Sequence, residues 1–541
     1  MQIIKAIKTN VCRKSILYYA IFLLLMIITL SMKVNYHVDE TYTYGLSNNV
    51  GSAIINLQDE YRYEPASKAF SSYMTVQKDD RFNYRNVWEN QAADTHPPLY
   101  YVLIHTIRSL FPDTYSLWFA GSINILFALL TLMIFRKMVM LLVRVETIQD
   151  ILSLCFVFSC GILSAVSFLR MYIMAMFWVT LLSFLILKHV SEKCDWKFYV
   201  SAGLVAYLGA LTHYYCIIFT ILISLCYAGY LLLSRRTAET VKYCISMGIA
   251  GILSVLTFPP MLEHMFSGDR GAEALGNLSK LSDLWIRLKS FYNIVDRQMF
   301  GKTMGYLLII LLLTVLFRKR IFAAQKNSSS AKTGIGFSRE YIAQYVLLFL
   351  PCLIFFLFVA KSAAFQTDRY ISPIYAIFFA AVLCLSASFL LQKFGTSTTV
   401  FLMIILAALV TIGSCKNASW EYLYRKEVSA LQEKAQYKDT DCICLSSRSR
   451  WKIQSKFVEY QNYNSLTVID KEKVSAKHMK ESAELIRSHI QTDNVILTLI
   501  DFADPEAYMN KLLAEMPEYT TYTDIGTHFY GTTYYLSSEP Q

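Results

Sequence analysis

Between residues 15 and 414 the chain is built from apolar runs almost free of charge. Each run is about 16–22 residues long, enough to cross a hydrocarbon core of roughly 30 Å. Inside a bilayer no water satisfies backbone N–H and C=O groups, so only helices or closed barrels can span it. Unbroken runs, rather than period-two alternation, select helices. Eleven spans are expected, at 15–32, 116–135, 150–167, 171–188, 198–212, 216–234, 243–258, 304–320, 341–360, 370–391 and 397–414. Of the 541 residues 55% are hydrophobic and 17% charged, whereas a soluble chain of this length divides into domains with polar surfaces.

The basic residues orient the bundle. Lys5, Lys8, Arg13 and Lys14 precede the first span, which places the N-terminus in the cytoplasm. With eleven spans, Arg136, Lys137 and Arg144 then fall inside, as do Lys188, Lys193, Lys197, Arg235, Arg236, Arg318, Lys319, Arg320 and Lys393. The C-terminus is therefore expected outside, and the chain is expected in the plasma membrane. The apolar run 98–111 is too short for a full crossing, and counting it as a span would invert every later loop. It is expected to lie on the outer surface. The net charge of +11 is accounted for by the cytoplasmic clusters, and no basic face with interleaved aromatics points to nucleic acid. No cleavable signal peptide is expected, since the first apolar stretch is long and lacks a small-residue cleavage site. Six of the twelve cysteines (155, 160, 216, 226, 352 and 384) fall inside spans without metal-type spacing, which points to packing.

Two domains are expected. The membrane body occupies 1–414, with a long outer loop at 33–115, a second at 259–303 and a linker-like stretch at 323–339. From 415 to 541 the apolar runs shorten to Cys442–Leu445, Leu466–Ile469 and Val495–Ile500, separated by helical patterns at 472–490 and 504–515. Strands alternating with helices predict a small extracytoplasmic α/β domain. It carries no glycine-rich phosphate loop, and the chain shows no internal repeat.

Just after the first span comes His37-Val38-Asp39-Glu40, and further on Thr95-His96-Pro97-Pro98-Leu99-Tyr100-Tyr101. An acidic pair at the outer mouth of the first span, followed by a His-Pro-Pro-Leu-Tyr-Tyr run, resembles the GT-C superfamily of polytopic glycosyltransferases. The nearest likeness is to bacterial members of glycosyltransferase family 39, related to protein O-mannosyltransferases. The resemblance implies a GT-C membrane fold and transfer of a sugar from a polyprenyl-phosphate donor to a cell-envelope glycan, lipid or protein. It covers residues 15–380, firmly at these two motifs and loosely beyond them. It also implies that Asp39 is the general base, completed by Glu40, and that Asp94, His96 and Tyr100 belong to the segment lining the outer cavity. The bland reading is that Asp39 N-caps a short helix beginning at Glu40, and that the two prolines merely start one.

A phosphate-bearing donor needs cations near the outer face, and polar groups at span edges are functional candidates by default. Arg170 with Tyr172 opens the fourth span; the alternative is snorkelling to headgroups. His213 and Tyr214, followed by Tyr215, mark an outer turn where an aromatic belt is the competing account. Asp368-Arg369-Tyr370 opens the tenth span, and Arg369 is the first choice for the lipid phosphate because guanidinium matches its oxygens. An Asp368–Arg369 surface pair is the alternative there. Glu263, His264, Asp269 and Arg270 read as solvated loop charge. No cofactor is required; a divalent metal held by Asp39 and Glu40 with Glu263 or Asp269 is conceivable, and the spacing does not demand one. The rival functions are a transporter or flippase of a lipid-linked sugar, disfavoured by the lack of half-repeats, and a non-catalytic envelope-assembly protein.

Overall fold

The computed structural model describes residues 2–48, 54–279, 282–316, 339–447, 450–528 and 531–539. The expected linker at 323–339 and the basic cluster Arg318–Arg320 therefore lie outside the described residues, save Arg339. The chain forms two compact units. One comprises Met1–Ser31, Gln91–Tyr100 and Ala120–Trp420; the other comprises Met32–Asn90, Tyr101–Phe119 and Glu421–Gln541.

The first unit is a helical bundle. Six helices among the described residues are long and apolar enough to cross a membrane: Leu117–Leu142, Tyr172–Val190, Tyr214–Leu233, Thr237–Thr257, Arg339–Ser362 and Ser372–Asn417. Glu146–Val157 and Cys160–Ser167, bent by 41° at their junction, make a seventh when taken together. The eleven expected spans therefore map unevenly. That at 15–32 is the latter part of the helix Gln2–Ser31, and that at 198–212 is the shorter helix Trp196–Ala210. Those at 370–391 and 397–414 are two helices within Tyr375–Asn417 that meet at a kink, where Gly395 leaves helical geometry at φ +75° and ψ −178°. The run 98–111 is the short helix Leu99–Ser109.

Burial sorts these helices. In Thr237–Thr257 only 22% of the apolar window is enclosed, and Ile245, Ile249, Ile252 and Leu256 point outward. In water such a stripe would drive association; against lipid it is simply the solvated face. Tyr172–Val190 is 72% enclosed and runs through the middle of the bundle.

The second unit contains a six-stranded sheet: β1 (Arg62–Tyr63), β2 (Asp441–Ser446), β3 (Ser465–Asp470), β4 (Val495–Ile500), β5 (Thr521–His528) and β6 (Gly531–Ser537). Its order is β1-β3-β2-β4-β6-β5, with β2 parallel to both β3 and β4 and the remaining pairs antiparallel. Parallel neighbours need crossovers, and the helix Met479–Ser488 supplies the one between β3 and β4. With Pro505–Glu515 it covers one face, where Ile443, Leu445, Leu497 and Leu499 meet Ile486, Met509 and Leu512. The three predicted strands are all present and fully buried.

The edge strand β1 comes from the first long loop, from the Tyr61-Arg62-Tyr63 stretch. Arg62 forks onto the buried Asp441 carboxylate at 2.8 and 2.9 Å. Ser465 Oγ, Asn464 Nδ2 and the Gln491 N–H also donate to it. Burial would raise the Asp441 pKa, but these donors outweigh it and hold it down to about 2.

Candidate functional site

Within the helical unit, residues from four separate segments converge. The helix Cys160–Ser167 ends at Phe168, whose backbone turns extended. Fully buried Asn124 catches that end, donating to the carbonyls of Val166 at 3.0 Å and Phe168 at 2.8 Å. The Tyr100 hydroxyl in turn donates to Asn124 Oδ1 at 2.8 Å. Tyr100 has no exposed surface, so it supports this turn rather than lining a cavity. The turn delivers Arg170, which is 3% exposed.

Arg170 Nη2 lies 3.1 Å from His96 Nε2, and His96 Nδ1 lies 2.9 Å from Asp94 Oδ2. A guanidinium can only donate. His96 Nε2 is therefore the acceptor, and Nδ1 carries the proton that is donated to Asp94. Burial pushes the Asp94 carboxyl up, but the His96 bond, the Thr95 N–H and the Arg170 charge hold it below the ordinary carboxylate range. Asp94, His96 and Arg170 thus form a relay in which a carboxylate fixes an imidazole and the imidazole fixes a guanidinium.

His213 closes one side. It N-caps the helix Tyr214–Leu233, its Nδ1 accepting the Tyr215 N–H at 3.0 Å. Its ring lies 6.0 Å from that of His96 and 5.1 Å from that of Tyr172. Burial first, then His96, Arg170 and Arg369, push its pKa well below the usual histidine value. A neutral His213 whose Nδ1 is an acceptor carries its proton on Nε2, as a donor. Arg369, 8% exposed, sits over the rings of Tyr370 at 5.1 Å and Phe168 at 5.8 Å. Its neighbour Asp368 accepts from Gln298 Nε2 at 2.9 Å. The surface-pair reading of Asp368 and Arg369 fails because the guanidinium is buried among rings.

Other predicted residues go elsewhere. Tyr214 hydrogen-bonds His264 Nδ1 at 2.7 Å, and His264 Nε2 reaches the Ala92 carbonyl at 3.1 Å, so this pair braces the segment leading to Asp94. Arg270 pairs with Glu273 on an exposed helix. Tyr215, read in the sequence as part of the His213-Tyr214-Tyr215 turn, packs between His213 and Tyr370. One further contributor was not picked out from the sequence. Gln298, which holds Asp368 and the Ser419 N–H, is distant in sequence and left no signal.

Asp39 and Glu40 belong to the second unit. The helix Val38–Leu46 is capped by His37, whose Nδ1 accepts the Asp39 N–H at 3.1 Å, while Glu40 Oε2 accepts the His37 N–H at 2.6 Å. Asp39 is therefore not the cap, because His37 and Glu40 form a reciprocal capping box. Glu40 is fully buried and also takes Lys33 Nζ at 2.9 Å, and Lys33 reaches the Tyr422 carbonyl as well. Burial lowers the Lys33 pKa, with Glu40 opposing it. The Asp39 side chain remains 26% exposed. One acid of the pair thus builds the turn, and the other is presented by it. Among the described residues no three His, Cys, Asp or Glu side chains gather as metal ligands.

The two arginines, the His213 imidazole and the surrounding tyrosines thus lie together in the helical unit. No protein-family model matches the chain, and no curated protein matches it. Three solved structures of the Archaeoglobus fulgidus oligosaccharyltransferase do match. The form tethered to an acceptor peptide is 9% identical, covering 95% of this chain and 74% of that one, with TM-score 0.40. The complex with Zn and sulfate is 10% identical, covering 94% and 72%, with TM-score 0.42. The apo form is 9% identical, covering 93% and 73%, with TM-score 0.43. Scores this low establish neither a shared fold nor a function.

Proposed function

We propose that this protein is a membrane glycosyltransferase of GT-C type, moving a sugar from a polyprenyl-phosphate donor to an acceptor at the outer face. The observation that carries the reading is the burial of Arg170 and Arg369 in one aromatic-walled cluster at the ends of apolar helices. A guanidinium matches phosphate oxygens with its planar fork, and charge-assisted hydrogen bonds of this kind are strong. Arg369 and Arg170 would hold the donor phosphate, His213 would add an uncharged N–H donor, and Asp94 with His96 would keep Arg170 in place. Asp39, as the exposed member of the acidic pair, would take the proton of the acceptor hydroxyl while the anomeric carbon is attacked with inversion. A cell-envelope glycan, lipid or protein is the expected acceptor.

The test is release of polyprenyl phosphate from a panel of polyprenyl-phosphate sugars, with envelope extract as acceptor. Wild type should turn over one donor, and Asp39→Asn should lose about 10²- to 10⁴-fold in rate with donor binding intact. Full activity of a folded Asp39→Asn would remove the base. Binding of the donor by both proteins without turnover would favour the transporter reading.

A further inference from the structure

We infer that Cys160 and Cys415 form a disulfide-forming site that ties the start of the helix Cys160–Ser167 to the end of the helix Tyr375–Asn417. The thiols belong to different elements, the start of the helix Cys160–Ser167 and the last turn of the helix Tyr375–Asn417. Their sulfurs lie 3.1 Å apart. Cys160 is buried and Cys415 exposed, so one thiol is open to an oxidant and the other waits directly beneath it.

The surroundings are built to hold this pair together. Ser164 Oγ donates to the Ser419 carbonyl at 2.8 Å, linking the same two elements one turn further on. Ser414 Oγ donates to the Gln298 carbonyl at 2.7 Å, and a Cβ on Gly161 would stand 2.6 Å from that same oxygen. The two helix ends therefore clamp Gln298, whose side chain holds Asp368, the neighbour of Arg369. A covalent link would fix the clamp. The basic loops orient both cysteines toward the outer end of the bundle, the side on which disulfides persist.

The chemistry is thiol–disulfide exchange with a disulfide oxidant. The Cys415 thiolate attacks one sulfur of the oxidant and expels the other as a thiolate. The Cys160 thiolate then attacks the mixed disulfide at Cys415 and expels the second. The two thiol protons pass to the two departing thiolates, and two electrons reduce one oxidant disulfide to two thiols.

To test this, the full chain is purified in detergent, reduced, and incubated with oxidised glutathione. It is then quenched with N-ethylmaleimide under denaturing conditions and digested for mass spectrometry. The expected product is a cross-linked peptide joining residues 160 and 415, lighter by two hydrogens than the separate thiol peptides and reversed by reductant. In Cys160→Ser the same treatment should leave glutathione on Cys415. Recovery of both wild-type cysteines as maleimide adducts, or of a stable glutathione adduct on Cys415 with Cys160 still a thiol, would overturn the inference.

Discussion

Arg369 was legible in the sequence as a cation at the mouth of a span, but its environment was not. A guanidinium buried against Tyr370 and Phe168 is expected to contribute one or two charge-assisted hydrogen bonds to a bound phosphate. Arg369→Met should therefore lower kcat/KM for the lipid donor by about 10- to 100-fold. Arg369→Lys should recover only part of this, because ammonium lacks the planar fork. Equal kcat/KM in wild type and Arg369→Met would assign the phosphate elsewhere. Asp441 is the corresponding lesson for stability. Its folded pKa of about 2 lies below the ordinary value, so its contribution is full above that ordinary value and is lost as pH falls toward the folded one. The contribution is about 2 kcal/mol. Melting temperatures measured from pH 6 down to pH 2 should fall more steeply in wild type than in Asp441→Asn, which starts lower. Parallel pH profiles would contradict this.

Elements were predictable where one face decides them. β2, β3 and β4 are short, largely apolar runs bounded by polar turns, and they form where expected because burial on both faces leaves little other use for such segments. β1 was hidden because two residues carry no periodicity, and it exists only through pairing with Thr467 and Leu466 of β3. The boundary expected between the last two spans falls where the structure also interrupts the helix. Gly395 marks the place: its backbone is non-helical, and two helices meet there at a kink. Its φ of +75° and the open space around its Cβ position isolate the backbone term. Gly395→Ala should cost about 1–3 kcal/mol, read as a lower melting temperature in detergent with no change in packing elsewhere. An unchanged or raised melting temperature would show that the turn is not maintained.

For the whole molecule, the orientation drawn from the basic loops can be checked directly. With a membrane-impermeant maleimide on intact cells, a cysteine at Lys480 should label and one at Lys193 should not; the opposite pattern would invert the topology. The sequence by itself determined that the chain is a helical membrane body followed by an α/β segment, because hydrophobic burial and backbone satisfaction in lipid act on local runs. It also pointed to Asp39, His96, Arg170, His213 and Arg369 as charged or titratable groups in places where they are costly. Only the tertiary structure decided how those groups are used. It separated Asp39 from Glu40 by spending Glu40 on Lys33 and the His37 cap, and it withdrew Tyr100 and Tyr214 into supporting bonds. It gathered Asp94, His96 and Arg170 into one relay. Such choices depend on which distant segment supplies the opposing donor or ring, and no local pattern in the chain encodes that partner.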